Sequence, residues 1–318
     1  MNKKVVVLGG GTGMSTLLRG LKLFPVDITA VVSVSDDGKS TGRLREEFNT
    51  IAVGDIRRVI VSLSEKEELI DKLMNYRFDT TSDLDGHTVG NLILTALSSI
   101  EGNLSDGIES LSQVLNLKGR VLPLTEDYAT LASVMEDDSI VYGEHNITAS
   151  PKAIKKVFYK EKVETSKEVL KEVESADLIV LSMGSLYTSV IPNLINNDIK
   201  KALKKSKAKI MYVCNIMTQP GETDNYTASR HIKVLNKYLG KRKVDVVVIN
   251  DGKISDDYIE KYKTKEEKDV VLFDRENLRK LGVSIIHNNY VDSSDGTIKH
   301  NIEKLSLDIF AYLVNSKR

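Results

Sequence analysis

Short runs of β-branched and other apolar residues recur along the chain, each closed by Gly, Ser, Asn or Asp and followed by a helix-length segment. This alternation predicts βαβ units wound around a mostly parallel sheet. The clearest strands fall at residues 4–8, 28–34, 178–181, 209–214 and 244–249. None alternates strictly between apolar and polar, so helices should cover both sheet faces, as they do at the centre of a parallel sheet. Residues 89–100 (VGNLILTALSSI) and 103–115 read as packed helices, whereas 65–76, 166–175 and 303–314 carry amphipathic spacing suited to outer positions. The rhythm breaks between about 118 and 160. There, 119–122, 129–135, 140–142 and 154–158 are short extended candidates separated by EDD and GEHN turns, which predicts a small β-rich insertion. The expectation is an α/β protein with a mostly parallel sheet.

Composition narrows the classes. The chain of 318 residues balances 45 Lys+Arg against 45 Asp+Glu and is 41% apolar, enough for a large core and without a charge bias toward nucleic acid or membrane. Cys214 is the single cysteine, which excludes an internal disulfide and zinc sites built on paired cysteines, and fits a reducing compartment. The five histidines contain no His-x-x-x-His pair. The apolar run near the start breaks at Gly9, and no later run reaches the ~18 residues of a membrane span, so a cytoplasmic protein is expected. The lysine cluster at 200–209 reads as a solvated helix face.

The candidate chemistry lies at strand ends. Gly9, Gly10, Gly11, Thr12 and Gly13 stand between the first strand and an apolar helix, where close backbone approach and free helix N–H groups favour a phosphate. The dinucleotide pattern G-x-G-x-x-G fails, because Met14 or Thr16 occupies its last glycine. A P-loop at Gly38-Lys39-Ser40 fails as well, since Ser33 stands where its first glycine belongs. Asp36 and Asp37, at the end of the second strand, are placed to bind a ribose or base, to meet Mg²⁺ through a phosphate, or to cap a turn. Further polar strand ends are SMGSLYT (182–188, with Gly184, Ser185 and Tyr187), NIMTQPGET (215–223, with Asn215, Thr218 and Gln219) and Asn250-Asp251-Gly252, all expected to converge on the glycine loop. Ser185 lacks the G-x-S-x-G setting of a hydrolase nucleophile. Arg57 can clamp a phosphate or carboxylate, and His87 with Asn91, four apart if a helix begins at His87, can address a sugar or acyl group.

Taken together, GGGTGMSTLLRGLK, SVSDDGKSTGRLR, GDIRRVIVSLS, YRF, GHTVGNLIL, MGSLYTSVIPNLI and CNIMTQPGETDNYTASRHI resemble the YvcK/GlmR proteins of the wider CofD-like superfamily, over almost the whole chain. The resemblance implies a Rossmann-like single domain over 1–318. It implies binding of UDP-N-acetylglucosamine as a signal and, in the unliganded state, stimulation of glucosamine-6-phosphate synthase. The implied role is control of carbon flux into cell-wall precursors, needed for cell shape during gluconeogenic growth. Relatives carry a tyrosine and an arginine near the C-terminus associated with the sugar ligand; Tyr262 matches the first, and Lys299 takes the place of the second. Lysine keeps the charge and loses the planar fork. Other departures are Lys39 for a family glycine, Ser182-Met183 for Gly-Pro, and Ile302 for a phosphorylatable threonine.

No nucleophile or proton-transfer pair stands out, which favours a regulatory binding protein that requires no cofactor over an enzyme. Acid or base roles for Asp36, Asp37 or His87 stay open, and so does a homo-oligomer. A CofD-like transferase of a phosphate-linked group is the alternative, and NAD(P) binding is weaker because the glycine pattern fails.

Overall fold

The computed structural model describes residues 2–48 and 51–316. In chain order its strands are β1 (Lys3–Gly9), β2 (Val26–Val32), β3 (Arg120–Pro123), β4 (Leu131–Met135), β5 (Ile140–Tyr142), β6 (Ile154–Tyr159), β7 (Leu178–Leu181), β8 (Lys209–Val213), β9 (Val246–Asn250), β10 (Ser284–Asn288), β11 (Val291–Asp292) and β12 (Lys299–His300). One seven-stranded sheet has the order β10-β9-β8-β7-β1-β2-β3, with every neighbouring pair parallel.

The unalternating strands are explained by two cores sharing this sheet. Val5 and Val7 of β1 bury against Met14, Leu17 and Leu21 of helix α1 (Gly11–Leu21), while Val6 and Leu8 face the opposite cluster with Leu186, Val190 and Leu203. Each fully buried aliphatic side chain contributes about 1.5–3 kcal/mol, so the central strands are fixed by both layers at once. Further helices in the first half are α2 (Lys39–Phe48), α3 (Gly54–Leu63), α4 (Glu67–Asn75), α5 (Val89–Glu101), α6 (Leu104–Val114) and α7 (Glu144–Ala149).

Two expectations are corrected. Segment 119–122, read as part of the insertion, is β3 and pairs in parallel with β2 as an edge strand of the main sheet. The insertion proper is the antiparallel sheet β5-β4-β6 with α7, and its Leu131, Met135, Ile147 and Val157 join the core on one sheet face. Strand β10 was not anticipated: apart from its isoleucine pair it is polar, and its half-exposed pattern is that of an edge strand with one open side.

The chain winds outward from β1 through β2 to β3, then returns to the other side of β1 with β7 and winds on to β10. The topological switch point therefore lies between the carboxyl ends of β1 and β7, where ligands of open α/β sheets bind.

Candidate functional site

The glycine loop leaves β1 at this switch point. Gly10 is extended and caps α1 without a side chain, and Gly11 opens the helix with φ +64°, a conformation glycine adopts without strain. The first-turn N–H groups of α1 have no acceptor within the helix, and no acid stands in that turn. The carboxylate of Asp55, the second residue of α3, lies beside this loop: a Cβ on Gly10 would sit 2.6 Å from its Oδ2. Burial, then repulsion from Asp36, raises this carboxyl to about 6. Thr12 is exposed beside it. Gly13 is required by close approach: a Cβ there would lie 2.1 Å from the Met183 carbonyl oxygen, so α1 rides directly on the loop after β7.

Beside that contact is a cavity of about 500 Å³ whose walls include Gly13, Gly184, Ser185, Asn215, Thr218 and Gln219. Its frame is hydrogen-bonded throughout. Asn215 accepts from the Gly184 N–H at 2.9 Å and donates to the Gly184 carbonyl at 2.7 Å, joining the ends of β7 and β8. The Thr218 hydroxyl accepts from the Asp269 N–H at 2.9 Å, and the Gln219 side chain donates to Glu222 at 3.1 Å. Glu222 is buried and also accepts from the Ser185 hydroxyl at 2.6 Å and the Tyr187 N–H at 3.2 Å; burial raises its carboxyl above the usual range. Ser185 is thus a capping hydroxyl for the π turn Leu186–Val190, accepting from the Thr188 N–H. Tyr187 is buried behind the cavity wall, its hydroxyl 3.0 Å from that of Tyr226.

The C-terminal hairpin β11-β12 closes one side. Tyr262, 6% exposed, lines the cavity and accepts the Ile298 N–H at 2.8 Å. His300 also lines it, 3.1 Å from the Cys214 carbonyl oxygen, and burial lowers its pKa to about 4. Lys299 does not line it: its ammonium is exposed and paired with Asp295. In a strand successive side chains point to opposite faces, so the residue that looks inward is His300.

Asp36, Arg57 and Asn91 line a different, larger cleft of about 1040 Å³ together with Arg43, Arg58 and Arg77. Asp36 accepts from the Gly38 N–H at 2.9 Å and from the Thr41 hydroxyl at 3.3 Å, bracing the turn into α2. Asp37 turns the other way and accepts the His145 N–H of α7 at 2.8 Å. Arg57 is buried, and burial followed by repulsion from Arg58 and Arg77 lowers its pKa to about 10. His87 and Asn91 are both buried, but α5 begins at Val89, so His87 precedes the helix and the two do not share a helix face. Burial lowers the His87 pKa. Asn250 bonds Gly252 and Tyr290, and its loop lines neither cavity.

Three acids went unrecognised in the sequence: Asp55, Glu222 and Glu144. Burial, then repulsion from Asp36, Asp55 and Asp37, drives the Glu144 carboxyl well up. Asp55 and Glu222 lie inside motifs already marked, GDIRR and TQPGET, but only the fold shows what each carboxylate touches. Among the described residues no three His, Cys, Asp or Glu side chains group as a metal site, and no helix is long and apolar enough to cross a membrane.

Residues 5–291 match the family model described as 2-phospho-L-lactate transferase CofD. The chain is 46% identical over 305 residues to the gluconeogenesis factor of Halalkalibacterium halodurans, covering 96% of this chain and 94% of that one. It is 42% identical over 304 residues to the gluconeogenesis factor of Bacillus subtilis, covering 95% and 96%. A crystal structure of a member of the UPF0052 family from Bacillus halodurans superposes with a TM-score of 0.93 at 45% identity, over 97% of this chain and 99% of that one.

Proposed function

The chain belongs to the CofD family and to the gluconeogenesis factors within it, and from that membership we propose that it is a regulatory protein that binds UDP-N-acetylglucosamine. The observation that carries this reading is the uncapped first turn of α1 at the switch point, with Gly13 in the wall of a cavity that ends on Tyr262. A helix N-terminus of this kind suits a diphosphate, a tyrosine suits a sugar or base, and the Asn215, Thr218 and Gln219 loop offers amide and hydroxyl groups to hydroxyls. Bound nucleotide sugar would report precursor supply, and the unliganded form would engage glucosamine-6-phosphate synthase, linking the protein to cell-wall flux and cell shape. Mg²⁺ would enter with the diphosphate and its own waters, since Asp36 and Asp37 already accept hydrogen bonds from Gly38, Thr41 and His145.

The test is a thermal-shift panel of UDP-N-acetylglucosamine, other nucleotides and NAD(P), with wild type and Gly11→Val. A ligand at 100 times its dissociation constant stabilises by about 2.7 kcal/mol, and Gly11→Val should remove that gain while the protein remains folded. An equal shift in both proteins sinks the assignment of the glycine loop.

A second reading is favoured by Asp55, whose carboxyl near 6 beside the glycine loop is in the range of a general acid or base. A CofD-like transferase, given an acceptor alcohol or water, would form a bond from the acceptor oxygen to the sugar-linked phosphorus and release UMP at a rate proportional to protein, and Asp55→Asn would suppress it. Unchanged ligand after long incubation supports the regulator.

A further inference from the structure

Arg57 is 5% exposed, yet among the described residues its Nε has no hydrogen-bond partner and its guanidinium makes one long bond, 3.5 Å to the Met74 carbonyl oxygen. It faces the cleft of about 1040 Å³ between α2, α3 and the start of α5. Arg43 and Arg77, which line the same cleft, likewise donate to backbone carbonyls, of Asp85 and Gly86. Among the described residues none of these three arginines forms an ion pair, whereas Arg58 is matched by Asp55 at 2.8 Å. A buried guanidinium with donors unmet costs stability unless an anion completes it, and a planar fork suits phosphate or carboxylate. The mutual repulsion among Arg57, Arg58 and Arg77 would be relieved by the same anion.

The cleft is not simply cationic. Asp36, Asp79 and Asp85 line it too, with Phe78 supplying an apolar surface. Carboxylates accept hydrogen bonds and repel a bare anion, so an occupant that satisfies both sets carries a phosphoryl group at one end and hydroxyls at the other. The volume is at the upper end of the range for small-molecule sites.

We infer that this cleft is a second small-molecule site, separate from the switch-point cavity, that takes a phosphorylated polyol with its phosphoryl group on Arg57 and Arg77 and its hydroxyls on Asp36 and Asp85. The site stands independently of whether the other cavity holds a nucleotide sugar.

Titration calorimetry with glucose 6-phosphate, glycerol 3-phosphate and inorganic phosphate, on wild type, Arg57→Met and Arg77→Ala, tests it. The two phosphorylated polyols should bind wild type more tightly than inorganic phosphate does. Loss of one charged hydrogen-bonding group corresponds to a weakening of about tenfold or more in each variant. Arg77 is exposed, so Arg77→Ala reads out the site even if Arg57→Met fails to fold. Saturating UDP-N-acetylglucosamine should leave polyol phosphate binding in place. No binding by either polyol phosphate, equal affinity in wild type and Arg77→Ala, or competitive displacement by the nucleotide sugar overturns the inference; the last outcome would leave the nucleotide-sugar reading itself intact.

Discussion

Asp37 and His145 lie 108 residues apart, and the carboxylate of the first accepts the amide hydrogen of the second at 2.8 Å. The end of β2 is thereby tied to the first turn of α7, so this aspartate locks the insertion to the sheet. Asp37→Ala should cost about 1–2 kcal/mol, the worth of a strong helix-terminal carboxylate. Urea denaturation measures the loss, and amide exchange should quicken across β4–β6 and α7. Unchanged exchange there would show that the tie carries no weight.

Gly13→Ala should be costly out of proportion to its size. The added carbon would sit 2.1 Å from a backbone oxygen, Met183 O, and backbone cannot swing aside as a side-chain tip can. Overpacking of this kind costs about 1–3 kcal/mol or more. The melting temperature should fall and nucleotide-sugar binding should fall with it, because α1 can no longer approach the loop after β7. A variant as stable as wild type would contradict the contact.

If the glycine loop takes the proposed nucleotide sugar, Asp55 should make its binding depend on pH. The folded-state Asp55 carboxyl, at about 6, lies above the ordinary aspartate value of 3.8, so the folded protein holds this proton more tightly and the group weighs against folding above pH 6. That penalty fades as pH falls from about 6 toward 3.8. An anion arriving at the first turn of α1 disfavours ionised Asp55 further, so binding takes up a proton. The dissociation constant for UDP-N-acetylglucosamine should tighten from pH 7.5 to 5.5 in wild type and stay level in Asp55→Asn. Parallel pH profiles would remove Asp55 from the anion site.

Tyr262 and Lys299 should part company. Tyr262→Ala removes a buried wall of the cavity and should weaken nucleotide-sugar binding about tenfold or more. Lys299 is exposed and engaged with Asp295, so Lys299→Ala should change affinity less than about threefold, in the range of a surface ion pair. Calorimetry at one ionic strength decides between them; a large loss at Lys299 would mean that the hairpin rearranges on binding.

The central strands were legible because burial on both faces writes itself into the sequence as unbroken apolar runs, as at 178–181. The glycine loop was legible because its backbone geometry and close contacts select glycine. Edge strands were not: β3 and β10 acquire their place only by pairing with β2 and β9, and their own residues do not say which sheet they join. The same limit hid the division of the candidate residues between two cavities, since Gly13 and Asp36 follow the carboxyl ends of the neighbouring strands β1 and β2 and line different cavities. Lys299 and His300 differ by one step of the strand period, which a match by resemblance does not resolve.

The strand order also governs when the protein can become whole. The amide of Lys4 in β1 bonds Asp177, 173 residues later and just ahead of β7, at 2.9 Å. A growing chain can pair β1 with β2 early, but the other flank of β1 stays an open apolar edge until more than half the polypeptide has left the ribosome. Pairings across such a separation form slowly and leave a template for wrong partners in the interval. Newly made chains are therefore most exposed to aggregation and to chaperones before β7 emerges, and the switch-point cavity, built on the β1 and β7 ends, cannot exist until that vulnerable period is over.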